Sequence, residues 1–236
     1  MNIILLGYGK MGKAIERIAL ERGHTIAARI DADNRKDLDM VTGDVVIEFS
    51  HPDAAFENIQ KCLERGLPII SGTTGWLGRR GEIETLCTQK QGTFFYASNY
   101  SLGVNIFFKV NEFLSRIMNG FDGYEPVLAE IHHMEKKDAP SGTAITLAEG
   151  VLKHLSRKNT WVHDQASHTS TELSILSARV GLVPGTHSVK YTSAIDDIEI
   201  KHTAHTRDGF ALGAVLVAEW IKGRKGLLNM DDFLKF

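Results

Sequence analysis

The 236-residue sequence predicts an α/β protein, a doubly wound parallel sheet joined to a second, α+β domain with a mixed or antiparallel sheet. Three observations point there. Apolar strand-like runs alternate with helix-periodic segments as far as residue 96. A glycine-rich turn, GYGKMG, directly follows the first strand, and beyond Tyr96 the alternation gives way to strands separated by turn residues.

Residues 2–6 form a continuous apolar run, as a strand buried on both faces requires. Met11, Ala14, Ile15, Ile18 and Ala19 then recur at helical spacing, and Gly23 ends that helix. Strands are predicted at 25–30 and 44–49, then a helix at 52–65 carrying Ala55, Ile59, Cys62 and Leu63, stopped by Gly66. A strand at 67–70, a helix around Ile83, Leu86 and Cys87, and a strand at 93–96 continue the βαβαβ order. After it come a helix at 104–118, a strand at 127–132 and a helix at 142–155. Strands at 173–179, 187–192 and 198–203 are separated by turns at Pro184-Gly185 and Asp196-Asp197. A last apolar helix, 209–222, returns to the first domain, so the expected domains are 1–100 with 208–236, and 101–207.

Composition narrows the function. With 43% hydrophobic and 24% charged residues the chain can bury a real core, and a net charge of -2 provides no basic stripe for nucleic acid. No run approaches the roughly 20 apolar residues of a membrane span, and the N-terminal segment lacks the pattern of a secretory signal, so a cytoplasmic protein is expected. Cys62 and Cys87 fall in helical segments with no CxxC partner and read as buried thiols.

Gly7, Gly9 and Gly12, with Lys10 and Met11 between them, form a GxGxxG placed between a strand and a helix. The first glycine permits the tight turn, the second lets a pyrophosphate approach, and the third brings helix against strand. Asp31, at the end of the second strand, suits the ribose hydroxyls, and the domain is therefore Rossmann-like. Its negative charge disfavours the 2′-phosphate of NADPH, whereas Arg35, Lys36 and Lys10 could attract it, so either NADH or NADPH is expected, with NADH modestly preferred. Phe49, Gly72, Thr73 and Thr74, and Ala97, Asn99 and Tyr100 follow neighbouring strands and are candidate walls of the same site.

The stretch EIHHMEKKDAPSGTA, residues 130–144, holds the other candidates. His132, His133 and Lys136 emerge together at a strand end, where a protonated side chain could complement hydride delivery. Asp138 to Thr143 resembles a helix start capped by Ser141 or Asp138, and the N–H groups of Gly142 and Thr143 suit a carboxylate, which points to a small anionic substrate. Adjacent histidines on a strand face opposite ways and no further ligands stand beside them in sequence, so no metal is expected. A non-catalytic dinucleotide sensor, or a dehydrogenase of an amino acid or aldehyde, would share the first domain but has no need of this combination.

Together with GYGKMG, GTTG, ASNYSLGVN, RVGLVPGTH and AHTRDGFALGA in the same order, this stretch closely resembles the 4-hydroxy-tetrahydrodipicolinate reductase family of bacterial lysine biosynthesis, over essentially the whole chain. The resemblance implies reduction of the cyclic dicarboxylate by NADH or NADPH and a homotetramer built through the second domain. It further implies His132 and Lys136 as the acid-base pair, with His133, Lys136, Ser141, Gly142 and Thr143 binding substrate carboxylates. Gly7, Gly9, Gly12 and Asp31 would hold the adenosine half, and Gly72, Thr73, Thr74 and Asn99 the nicotinamide half. Arg207 would be a cofactor-side residue that ties the domains together on closure. Met134 and Glu135 replace residues that are often basic or polar in the family, and the segment between Trp161 and Leu173 is short.

Overall fold

The computed structural model describes residues 1–164, 169–206 and 208–236. The chain divides into two compact units, Met1–Leu102 with Asp208–Phe236, and Gly103–Arg207.

In the first unit, β1 (Asn2–Leu6), β2 (Thr25–Ile30), β3 (Val45–Glu48), β4 (Ile69–Ser71) and β5 (Thr93–Tyr96) alternate with α1 (Lys10–Glu21), α2 (Pro52–Glu64) and α3 (Arg80–Gln89). The second unit begins with most of α4 (Leu102–Met118), followed by β6 (Glu125–His132), α5 (Gly142–His154), β7 (Thr160–His163), β8 (Glu172–Arg179), β9 (Thr186–Thr192) and β10 (Asp197–Thr203). The chain then returns to the first unit with α6 (Asp208–Trp220), β11 (Gly226–Leu228) and α7 (Met230–Leu234).

The first sheet is wholly parallel, in the order β11-β5-β4-β3-β1-β2. Its central strands β3 and β4 are buried along their length because both faces are covered. Ile15, Ile18 and Ala19 of α1 pack with Ala214, Val215 and Ala218 of α6 on one face. Phe56, Ile59 and Leu63 of α2 pack with Ile83 and Cys87 of α3 on the other. Since β1 lies between β2 and β3, the chain reverses its direction of travel across the sheet at β1. In doubly wound sheets ligands bind at such a switch, outside the carboxyl ends of the strands, and here the glycine turn stands there.

The second sheet is mixed, in the order β10-β9-β6-β8-β7, with β6 parallel to β8 and antiparallel to β9. Helices α4 and α5 cover one face, Phe107, Leu147 and Val151 packing onto Leu128, Ile175 and Val189. On the opposite face Ala129 pairs in register with Leu176, and Ile131 with Ala178; Leu176 is 44% exposed.

The element order agrees with the sequence reading, with differences that have local causes. β4 starts at Ile69 rather than residue 67, because Pro68 has no N–H for the ladder. The four-residue β7 and three-residue β11 are too short for a period to register, and residues 32–39 form 3-10 turns capped by Asp31. Cys62 and Cys87 are buried free thiols, and burial pushes the Cys62 thiol up to about 12. No helix among the described residues is long and apolar enough to cross a membrane. Part of the short segment after Trp161, and Arg207, lie outside the described residues.

Candidate active site

In the first unit the turn after β1 is shaped by close packing. Gly7 has φ +89°, and an added Cβ would stand 2.1 Å from the Phe49 carbonyl oxygen; one on Gly12 would stand 2.3 Å from the Gly7 carbonyl oxygen. At Gly9 an added Cβ would meet nothing within 4 Å, so this backbone faces open space. Helix α1 starts there with no side-chain cap and no acidic residue in its first turn, leaving its N–H groups to an anion. A groove runs from Gly7 and Gly9 past Asp31 and Arg35 to Phe49. A second hollow is lined by Met11, Phe49, Gly72, Thr73 and Thr74.

These loops are held from beneath by Glu48, a fully buried carboxylate at the end of β3. It accepts hydrogen bonds from the hydroxyls of Ser50 at 2.5 Å, Ser71 at 2.5 Å and Thr73 at 2.8 Å. Trp76 Nε1 donates to the Thr73 carbonyl at 2.8 Å, fixing the GTTG turn. The Phe49 ring lies against Gly72, where a Cβ would stand 2.1 Å from it, and is backed by Tyr100 at a centroid distance of 5.4 Å. Tyr100 is itself a core residue whose hydroxyl donates to the Ser71 carbonyl, so it supports the wall from behind. Ala97 is buried beside it, and Asn99 accepts from the Ser101 N–H at 2.9 Å.

In the second unit, period-two alternation puts Glu130 and His132 on the buried side of β6, while His133 borders a hollow with Glu135, Leu182 and Pro184. Lys136 Nζ reaches both carboxylate oxygens of Asp138, at 2.8 and 2.7 Å, and this bond holds the Asp138 carboxyl below its ordinary range against a smaller opposing effect of burial. Arg179 fixes the loop between them, Nη2 donating to the Asp138 carbonyl at 2.6 Å and Nε to the Lys136 carbonyl at 3.2 Å. Ser141 caps α5, its Oγ accepting from the Ala144 N–H, so the first N–H groups of the helix, including those of Gly142 and Thr143, have no acceptor within it.

Glu130 is 1% exposed. Its Oε1 accepts from the Ser141 N–H at 3.1 Å and the Ser177 hydroxyl at 2.8 Å, with both Arg179 Nη atoms at 3.4 Å. Burial alone would raise this carboxyl, but His132, Ser141 and Ser177 outweigh it and hold the group well below the usual carboxylate range. Oε2 lies 3.2 Å from His132 Nδ1 and 3.7 Å from His187 Nε2.

The family follows from the sequence as a whole. Residues 1–100 match the family model for the N-terminus of dihydrodipicolinate reductase, and residues 103–234 match that for its C-terminus. The chain belongs to the dihydrodipicolinate reductase family. It is 48% identical over 235 residues to the 4-hydroxy-tetrahydrodipicolinate reductase of Christiangramia forsetii, covering 99% of this chain and 98% of that one. To the enzyme of the same name from Neisseria meningitidis it is 33% identical over 227 residues, covering 93% and 83%. A solved dihydrodipicolinate reductase from Paenisporosarcina sp. TG-14, dipicolinate bound, shares the fold with a TM-score of 0.79 at 18% identity, over 99% of each chain.

Set within that family of oxidoreductases, the residues expected from sequence separate cleanly. Gly7, Gly9, Asp31 and Phe49 share one groove, and Met11, Gly72, Thr73 and Thr74 the adjoining hollow, whereas exposed Lys10 lines neither. His132, Lys136, Ser141, Gly142 and Thr143 gather around the β6–α5 connection. The expectation that no ligand set stands near the histidines needs correction. β9 brings His187 to Glu130 and His132, and one atom of each lies within 4.8 Å of the others. Metal chemistry could use such a group. However, Arg179 already supplies positive charge to this carboxylate, and His187 Nε2 is engaged by Ser141 Oγ at 3.1 Å. Sequence reasoning gave no role to Glu130, Arg179 or His187. The last two lie in RVGLVPGTH, but only strand register brings them to β6: His132 pairs with Arg179, and Glu130 with His187.

The glycine geometry generates a paired prediction for dinucleotide binding, read by fluorescence titration with NADH. Gly9→Ala should fold normally yet raise Kd by at least about tenfold, roughly 1.4 kcal/mol, because its methyl occupies the approach to the backbone. Gly7→Ala should in addition lower the melting temperature, since its side chain has no room. Unchanged affinity in Gly9→Ala would remove the anion cradle from the binding site.

Proposed function

We propose that this protein reduces 4-hydroxy-tetrahydrodipicolinate to tetrahydrodipicolinate and water with NADH or NADPH, in the diaminopimelate route to lysine, in the cytoplasm. The observation that carries this reading is the gathering of His132, Lys136 and the capped start of α5 at one strand end, in a chain matching the reductase family along its length. A sensor of dinucleotide would need the glycine cradle and nothing of this second cluster.

The groove at Gly7 and Asp31 and the hollow at Thr73 suit the two halves of a dinucleotide, whose reduced nicotinamide supplies the hydride when bound. The chain's own groups bind the dicarboxylate and manage the proton. Gly142 and Thr143 offer N–H groups to one carboxylate beside Ser141, and His133 with Lys136 meets the other. Loss of the 4-hydroxyl with a proton from the neighbouring carbon, as water, leaves a carbon–carbon double bond. As hydride adds to the former hydroxyl carbon, Lys136, oriented by Asp138 and 20% exposed, with His132 returns a proton to its neighbour.

Cofactor choice turns on Asp31. Its Oδ1 accepts from the Ala32 N–H at 3.0 Å, and the exposed carboxylate remains able to bond ribose hydroxyls. Arg35 lines the same groove but is paired with Glu57 at 2.8 Å. That pairing weakens its pull on a 2′-phosphate, which favours NADH by a small factor while allowing NADPH. We further propose a homotetramer assembled through the second unit's sheet, whose half-exposed Ala129–Leu176 and Ile131–Ala178 pairs need an apolar cover.

Three measurements test these readings. In an assay that follows NADH oxidation with the dicarboxylate generated in situ, Lys136→Ala should lose about 10²- to 10⁴-fold in turnover while NADH affinity holds, as removal of a general acid requires; full turnover would reassign the acid. Asp31→Ala should shift kcat/KM toward NADPH at fixed salt, and a strong NADPH preference before mutation would show that the basic residues dominate. Light scattering at micromolar concentration should give four times the 26.1 kDa chain mass, and a monomer mass would contradict the assembly.

A further inference from the structure

The carboxylate behind the histidines has a division of labour that the proposed reaction does not by itself require. Its Oε1 collects Ser141, Ser177 and Arg179, so the conformation of Glu130 is fixed without help from any histidine. Among the described residues no donor meets Oε2 in full hydrogen-bond geometry, and it faces two imidazoles within ion-pair range, at 3.2 Å from His132 Nδ1 and 3.7 Å from His187 Nε2. The rings meet edge to face, with centroids 5.0 Å apart at 72°. All three residues are more than nine-tenths buried.

We infer that Glu130 and His187 are positioning residues that hold His132 in one orientation and one tautomer, with Nδ1–H toward Glu130 and Nε2 left for the substrate. The inference rests on the assignment of His132 to the acid-base pair. Two imidazoles beside a single carboxylate oxygen cannot both be charged without strong mutual repulsion. His187 stays neutral. Burial, then the charge of His132, pushes it down to about 4, while Glu130 opposes them. Among the described residues, the further charged or titratable groups around the cluster are Arg179 on β8, Lys136 and Asp138 in the loop and His202 on β10.

Gly185 completes the arrangement. It has φ +157°, and an added Cβ would stand 3.1 Å from His132 Nε2, so a side chain here would crowd the very nitrogen that must remain accessible. His132 is thus bounded by a carboxylate at one nitrogen and bare backbone at the other, and His187 fills the flank while its Nε2 shares a hydrogen bond with Ser141 Oγ.

The test uses the full-length enzyme with Glu130→Gln and His187→Gln. Each should lower kcat by about 10²-fold, the lower end of what a placed acid contributes, with substrate KM within threefold and NADH affinity unchanged. In ¹⁵N-histidine NMR spectra, the Nδ1–H tautomer of His132, assigned through His132→Asn, should dominate in the unmutated protein and give way to a mixture in Glu130→Gln. If Glu130→Gln does not fold, His187→Gln with its kcat-to-KM split carries the test. Unchanged kcat in His187→Gln, or a His132 tautomer indifferent to Glu130, overturns the inference. Should the unmutated protein fail to reduce the dicarboxylate, the proposed reaction falls, whereas the tautomer measurement still decides the role of Glu130.

Discussion

A carboxylate shut away from water stays charged only if donors meet it, and Glu130 imposes that requirement on the whole second unit. Its donors come from β8 and from the start of α5, so the strand bearing His132, its parallel neighbour and the next helix are tied at one point. Removing one partner of a buried ion pair typically costs about 3–5 kcal/mol, because the remaining charge is stranded. Arg179 extends the constraint outward. The guanidinium that approaches Glu130 also holds the carbonyls of Lys136 and Asp138, so the backbone under Lys136 is placed by the group that satisfies the carboxylate.

The first unit uses the same device with neutral donors. Glu48 ends β3 much as Glu130 stands near the end of β6, and its hydroxyl partners come from the loop after β3, the last residue of β4 and the loop that follows it. These loops border the hollow at Gly72 and Thr73. Each unit therefore has a polar cluster under its functional loops, in a position where an apolar core could not fix hydroxyl and amide directions. Hydrogen bonds supply direction where hydrophobic packing supplies only contact.

Much of this was legible in the sequence because local periods report local burial. Apolar runs at 2–6 and 93–96 mark strands covered on both faces, and the spacing of Ile15, Ile18 and Ala19 marks the stripe of α1 that packs into the core. The alternation of β6 likewise puts Glu130 and His132 on its buried side. What escaped was set by register between segments distant in the chain. Glu130 and His187 are neighbours only because β9 runs antiparallel to β6, and a shift of one residue would turn His187 to the other face. Tyr100 shows the reverse limit, since position at a strand end suggests a pocket wall while packing makes it a buried prop.

The route of the chain through the first sheet bears on how the protein is made. Residues 1–102 include five of the six strands, but Ala211, Ala214, Val215, Ala218 and Ile221, which cover one face, arrive only after the entire second unit has been synthesised, and β11 closes the edge beside β5 later still. A nascent chain emerging from the ribosome thus carries in water the part of an apolar sheet face that α1 does not cover, until more than a hundred further residues have followed. The second unit, whose sheet and covering helices are contiguous in sequence, can complete its own core first. Vectorial synthesis therefore favours maturation of the second unit ahead of the first, and makes the uncovered face the part of the newborn protein with most need of a chaperone.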